Sequence, residues 1–126
     1  MLGDTKAYNG FAVADLQAAR KFYEETLGLK TTVLDEGAGL MTLHLAEGRD
    51  TLVYLKPDFA PATYTILNFV VDDVEAAVDA LAARGVEFER YEGFDQDEKG
   101  IARGPGPNVA WFEDPSGNIF SVLDEG

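Results

Sequence analysis

The sequence of 126 residues contains no cysteine, a single histidine and no uninterrupted apolar run longer than four residues. The lack of cysteine excludes disulfides, iron–sulfur clusters, thiolate nucleophiles and cysteine-ligated zinc. His44 alone cannot supply the two histidines of a mononuclear iron site or of an HExxH zinc site. Because the apolar runs are too short for a transmembrane helix or a signal-peptide core, we expect a cytoplasmic protein with no membrane partner.

Basic side chains are also scarce, with 10 against 23 acidic ones and a formal net charge of −13. Such a surface repels the phosphate backbone, so we expect no nucleic-acid partner. The same charge would raise the local concentration of a cationic ligand, although it would equally serve solubility.

An internal repeat organises the chain, in which hydrophobic residues make up 46%. The segment Phe11–Ala19 is repeated as Phe69–Ala77, with the Phe, a Val, the Asp and two Ala in common. Each copy predicts a strand that leads into a helix, with Asp15 and Asp73 as N-caps. The length and the repeat together favour one domain made of two similar modules.

The periodicity predicts one helix and three further strands in each module. Gly28 and Gly85 follow the two helices as C-terminal stops. The turn Asp114–Asn118 predicts a hairpin near the end of the chain. The sequence thus predicts an α+β fold of two βαβββ modules, at about 5–57 and 64–124. The helices are expected at 16–27 and 74–84, and the strands after them at 30–35, 40–46 and 51–56, and at 86–91, 108–113 and 118–123.

Three motifs resemble those of the vicinal oxygen chelate superfamily, which includes glyoxalase I, bleomycin resistance proteins and extradiol dioxygenases. They are the pattern VxDL…FY…LGL in Val13–Leu29, the pattern VDDVxA in Val71–Ala76, and the pattern FxDPxGN in Phe112–Asn118. The resemblance implies that the two modules form an open, cleft-containing mixed β-sheet barrel. It also implies that modules pair either within a chain or across a dimer, and we expect a homodimer.

The resemblance further implies four metal-ligand positions in the cleft, and in this sequence they fall on Tyr8, Tyr54, Ile66 and Ser121. None of these side chains is a competent ligand for a divalent metal, since a phenol is costly to deprotonate and isoleucine has no donor atom. We therefore expect the fold of this superfamily without its metal site and without a cofactor.

His44 is the first candidate for acid–base chemistry, with Tyr54 beside it as a second catalytic candidate. Strand alternation places His44 and Thr42 on one face, where the imidazole would be either a polar anchor in the cleft or a solvent-facing strand residue. A Ser-His-Asp site is excluded because the only serines, Ser116 and Ser121, do not sit on a nucleophile elbow.

A second set of residues places polar or aromatic groups on otherwise aliphatic strands, which is typical of a small-molecule pocket. The alternative is that they only fill the interior of the barrel. The expected ligand-binding residues are Tyr8, His44, Tyr54, Asn68, Trp111 and Ser121.

These observations favour a metal-free protein of the bleomycin-resistance type that binds an unidentified small molecule in the cleft. One alternative is a glyoxalase-like lyase or isomerase that uses Tyr8, His44 or Tyr54 as proton donors or acceptors. Another is an interaction module whose cleft is filled. The sequence leans away from an enzyme and does not identify the ligand.

Overall fold

The computed structural model describes residues 1–125 and consists of two compact units, Met1–Phe59 and Ala60–Gly126. The first unit contains β1 (Gly10–Val13), α1 (Leu16–Lys21), β2 (Lys30–Asp35), β3 (Leu40–His44) and β4 (Thr51–Leu55). The second contains β5 (Thr65–Val70), α2 (Val74–Ala82), β6 (Val109–Glu113) and β7 (Ile119–Leu123). No helix within residues 1–125 has the length and apolar character needed to cross a membrane.

Each unit forms one open sheet with the same type of topology. The strand order is β1-β4-β3-β2 in the first sheet and β5-β7-β6 in the second. The first strand of each unit pairs in parallel with the last strand, and the remaining pairs are antiparallel. The predicted α+β class is confirmed, with two small mixed sheets that are not closed.

The predicted N-caps are confirmed at both helices. The Asp15 carboxylate accepts from the Ala18 N–H at 3.0 Å, and the Asp73 carboxylate accepts from the Ala76 N–H at 3.1 Å. A short acidic side chain at this position satisfies an orphan donor of the first turn and suits the positive end of the helix dipole.

The first helix differs from its prediction after Lys21. Phe22–Thr26 forms a π-helical turn, in which the Leu27 N–H donates to the Phe22 carbonyl, five residues back, at 3.1 Å. The wider turn contains the fully buried Tyr23, whose ring lies 6.4 Å from that of Phe11. Packing of this aromatic pair, which the periodicity could not reveal, accompanies the change of helix type.

The strand predicted at 86–91 is wrong, because only Phe88 forms a β-bridge there, to Phe112. The side-chain amide of Gln96 replaces the missing ladder. It donates to the Glu89 carbonyl and accepts from the Tyr91 N–H, both at 2.9 Å. These backbone groups are therefore satisfied without a neighbouring strand.

The carboxylate of Asp97 organises the long loop before β6. It accepts from the backbone N–H groups of Lys99 and Ile101 at 2.9 Å and from the Arg103 guanidinium at 3.0 Å. Burial alone would raise the pKa of Asp97, but the hydrogen bonds from Ile101, Arg103 and Lys99 outweigh it and lower that pKa. Hydrogen bonds thus hold this acidic loop in one conformation.

The core of each unit lies between its helix and one face of its sheet, because alternate strand residues point to opposite faces. In the first unit, Met41, Leu43 and Val53 are fully buried, whereas Thr42 and His44 remain partly exposed on the other face. This confirms the predicted alternation along β3. The open face of the first sheet is the one that carries the polar strand residues.

Candidate functional site

A groove of about 600 Å³ lies in the first unit. Its walls include Leu34 from β2, Thr42 from β3 and Leu52 from β4. Apolar surface from the leucines therefore meets charged side chains from the segment before β4. The charged residues that line the groove are Arg49 and Asp50 from this segment and Lys6 from the segment before β1.

His44 is held between two partners on the open face of the first sheet. Its Nε2 lies 2.7 Å from the Thr32 hydroxyl oxygen, and its Nδ1 lies 3.0 Å from the Asp50 carboxylate. Because a carboxylate only accepts, the Nδ1 carries the proton that is donated to Asp50. The lone pair of Nε2 then accepts the hydroxyl proton of Thr32.

Cross-strand geometry explains this contact. Thr32 of β2 pairs with Thr42 of β3, and Lys30 pairs with His44, so Thr32 and His44 are diagonal neighbours on one face. Asp50 approaches from the segment just before β4, and it also lines the groove. Strands β2 and β3 and the connection from β3 to β4 thus bring the three polar groups together.

The two tyrosines predicted in the first unit have different surroundings. Tyr8 lies two residues before β1 instead of on it, is 67% exposed, and lines the groove. Tyr54 is half-buried on β4, where it pairs with Ala12 and Leu40. Tyr8 therefore lines the groove. His44 does not line the groove itself but is hydrogen-bonded to the lining residue Asp50.

In the second unit, Asn68, Ser121 and Trp111 lie side by side across three strands. Ser121 pairs with Asn68 on one side and with Trp111 on the other. The fully buried Ser121 hydroxyl donates to the Asn68 side-chain oxygen at 2.5 Å. These three predicted residues therefore form one row.

Aromatic rings cover the indole of Trp111. The ring centroid of Tyr91 lies 5.4 Å away at a steep angle, and that of the exposed Phe94 lies 4.8 Å away. The Tyr91 hydroxyl is buried and has no hydrogen-bond partner in the structure. Burial, followed by the nearby charges of Glu89 and Glu113, raises the pKa of Tyr91.

The residues at the implied metal-ligand positions do not fit a divalent metal. Tyr8 is a solvent-exposed phenol, and Ser121 is engaged with Asn68. Ile66 has no donor atom, and Tyr54 offers only a phenol. Within residues 1–125, no three His, Asp or Glu side chains are grouped closely enough to hold a metal ion.

The sequence-based prediction missed four residues that the structure adds to these clusters. Thr32 and Asp50 join His44, while Tyr91 and Phe94 join Trp111. The alternation along β2 offered a signal for Thr32. The positions of the other three depend on loop conformations that leave no periodic pattern.

The sequence model of the Glyoxalase/Bleomycin resistance protein/Dioxygenase superfamily matches residues 7–122. No curated protein matches the chain. Among solved structures, TnmS3, an antibiotic binding protein from Streptomyces sp. CB03234, is 25% identical, with 98% of each chain covered and a TM-score of 0.68.

Two further structures are similar over nearly their whole length. A superfamily member from Sphaerobacter thermophilus is 25% identical, with 95% of this chain and 98% of that chain covered and a TM-score of 0.65. Lactoylglutathione lyase from Agrobacterium tumefaciens is 19% identical, with 97% and 95% covered and a TM-score of 0.70. The family match over most of the chain, together with the two open mixed sheets, shows that this protein belongs to the Glyoxalase/Bleomycin resistance protein/Dioxygenase superfamily.

Proposed function

We propose that this protein binds a small organic molecule in the groove of its first unit, and that it acts as a binding protein without a metal. The groove is the observation that carries this proposal. Its volume of about 600 Å³ lies within the roughly 300–1,000 Å³ of small-molecule sites. Its mixture of leucine side chains with the charged side chains of Lys6, Arg49 and Asp50 has the composition expected of such a site.

Two further observations support a binding role. The structure of TnmS3, an antibiotic binding protein that is 25% identical to this chain, is similar to it over nearly the whole length. The side chains at the four implied metal-ligand positions are two phenols, an aliphatic group and a buried hydroxyl. A lyase that polarises its substrate through a metal would lack ligands there.

The net charge of −13 supports a cationic ligand, because it attracts positive charge to the protein over several ångströms. Such steering weakens as salt screens it. We include in the proposal that the chain works as a homodimer in the cytoplasm. Sedimentation that shows only a monomer at micromolar concentration would contradict the dimer.

Calorimetric titration with bleomycin, used as a cationic probe, tests the groove. We expect Leu52→Trp to fill the groove and to weaken binding at least about tenfold, the effect of roughly 1.4 kcal/mol of lost contacts. Ala80→Trp, on an exposed position of α2, is the matched control and should bind as the unaltered chain does.

Each outcome bears on a different part of the proposal. Unchanged binding by Leu52→Trp would overturn the groove as the site. Absence of bleomycin binding by the unaltered chain would overturn the proposal that the ligand is a cation of the bleomycin type. Native mass spectrometry that shows a stoichiometric transition metal on the purified chain would overturn the metal-free binding role.

A further inference from the structure

Thr32, His44 and Asp50 form a hydroxyl–imidazole–carboxylate chain with the atom order of a nucleophilic triad. The Thr32 hydroxyl lies 2.7 Å from Nε2, and the Asp50 carboxylate lies 3.0 Å from Nδ1. Both distances are those of hydrogen bonds. In a serine hydrolase the same ring nitrogens face the nucleophile and the carboxylate, respectively.

Asp50 determines the direction of the two hydrogen bonds that His44 makes with Thr32 and Asp50. An ionised carboxylate has no proton to donate, so it selects the imidazole tautomer with hydrogen on Nδ1. Nε2 then presents its lone pair to the Thr32 O–H. His44 is therefore placed to remove that proton when the Thr32 oxygen attacks an electrophile.

We propose that Thr32, His44 and Asp50 form an acyl-transfer site that hydrolyses small activated esters through an acyl-Thr32 intermediate. The Thr32 oxygen bonds to the ester carbonyl carbon while its proton passes to Nε2 of His44. The bond to the leaving alcohol then breaks, and Nε2 returns the proton to that alcohol. Water attacks the acyl group in the same manner, which releases the carboxylic acid and restores the Thr32 hydroxyl.

The surroundings of the triad provide access and space for a substrate. The side chains of His44 and Asp50 are 37% and 47% exposed, so an ester reaches them without a conformational change. Asp50 also lines the groove of about 600 Å³, together with Leu34 and Thr42, which lie on the same two strands as Thr32 and His44. An acyl chain held in this groove would lie next to Thr32.

Lys30 brings positive charge to the same face. It pairs directly with His44 across β2 and β3, and it lies two residues from Thr32 on the same strand. A lysine side chain at this position is long enough to approach an oxyanion that forms on a carbonyl attacked by Thr32. Its ammonium would favour the transition state over the neutral ester.

Hydrolysis of p-nitrophenyl acetate by the full chain tests the proposal. Thr32→Val removes the hydroxyl and keeps the β-branched shape. We expect kcat to fall at least about 100-fold, because both the nucleophile and its activation by the general base are lost. Thr32→Ser keeps the hydroxyl and should retain turnover. Acid-quenched protein should carry one acetyl group at residue 32, found by peptide mass spectrometry.

Asp50 acts through His44 and is a positioning residue. We expect Asp50→Asn to lower kcat with little change in KM, because its amide can donate to Nδ1 and favour the wrong tautomer. The chain has one histidine, so nitrogen NMR of a labelled sample gives a single imidazole signal. That signal should report the Nδ1–H tautomer in the unaltered chain and a different tautomer population in Asp50→Asn.

Turnover by Thr32→Val equal to that of the unaltered chain would overturn the proposal, as would acetyl groups found on lysines alone. The Nε2–H tautomer in the unaltered chain would overturn it independently of any activity. Bleomycin binding is measured separately, on the unaltered chain and on Leu52→Trp. Loss of esterase activity in Thr32→Val thus concerns the triad, whereas loss of bleomycin binding in Leu52→Trp concerns the proposed binding function.

Discussion

Replacement of Asp114 by alanine should remove the electrostatic centre of the β6–β7 hairpin. The carboxylate is 4% exposed and accepts from the backbone N–H groups of Ser116 and Asn118 at 2.9 Å. It also accepts from the Asn118 side-chain amide at 3.0 Å. Asn118 itself is 3% exposed, so two of these donors have no access to bulk water when the carboxylate is removed.

The magnitude follows from those two buried donors. A hydrogen bond to a charged group contributes about 1.5–3 kcal/mol, and an unsatisfied buried donor costs a similar amount. The Ser116 N–H is partly exposed, and water replaces its partner at little cost. We therefore expect Asp114→Ala to lower the free energy of unfolding by about 3–6 kcal/mol, a large share of the roughly 5–15 kcal/mol of a typical domain.

Urea unfolding followed by circular dichroism measures this loss, with Asp114→Asn as the conservative variant. The asparagine oxygen can still accept from the two backbone N–H groups, but its amide nitrogen then faces the Asn118 amide, donor against donor. We expect a smaller loss of about 1–3 kcal/mol for this variant. A loss below about 1 kcal/mol for Asp114→Ala would refute the reasoning, because it would mean that the carboxylate is dispensable to the turn.

Two further predictions concern other acidic side chains. Asp15→Ala and Asp73→Ala should each lower the free energy of unfolding by about 1 kcal/mol, because each removes an N-cap. The variants Asp15→Asn and Asp73→Asn keep a capping oxygen and should lose little stability. Equal losses of stability for the alanine and asparagine variants would argue against capping. The lowered pKa of Asp97 stabilises the fold above its unfolded-state value of 3.8, and this contribution disappears as the pH falls through the lower folded-state pKa. The difference in stability between the unaltered chain and Asp97→Asn should therefore be larger at pH 7 than at pH 2.5 in urea titrations, and a difference independent of pH would contradict that assignment.

Features encoded by neighbouring residues were predictable from the sequence. The caps at Asp15 and Asp73 depend on one side chain and the turn that follows it. The hairpin Asp114–Asn118 likewise contains its own acceptor and donors. Such short-range hydrogen bonds do not depend on the rest of the fold.

Features that depend on a distant partner were not predictable. The segment 86–91 has the alternation of a strand, but only its Phe88–Glu89 part contacts β6, and Gln96 takes up the Glu89 carbonyl and the Tyr91 N–H. The row of Asn68, Ser121 and Trp111 comes from three strands whose pairing requires the register of the whole sheet. Candidate residues could therefore be named from the sequence, but their groupings could not.

The sequence alone determined the superfamily, the two repeated modules and the absence of ligand side chains at the implied metal positions, because all three are properties of residue type and spacing. Only the tertiary structure decided which polar groups meet. The pairing of β2 with β3 shifts between Val33 and Asp35, where a bulge lies next to Leu34. Asp35 pairs with Leu40, and without the bulge this register would place Thr32 opposite the buried Leu43. The bulge shifts the register, so that Thr32 lies opposite Thr42 and diagonal to His44. One extra residue in a strand therefore moves a hydroxyl from the core face to the open face, where the imidazole and Asp50 lie.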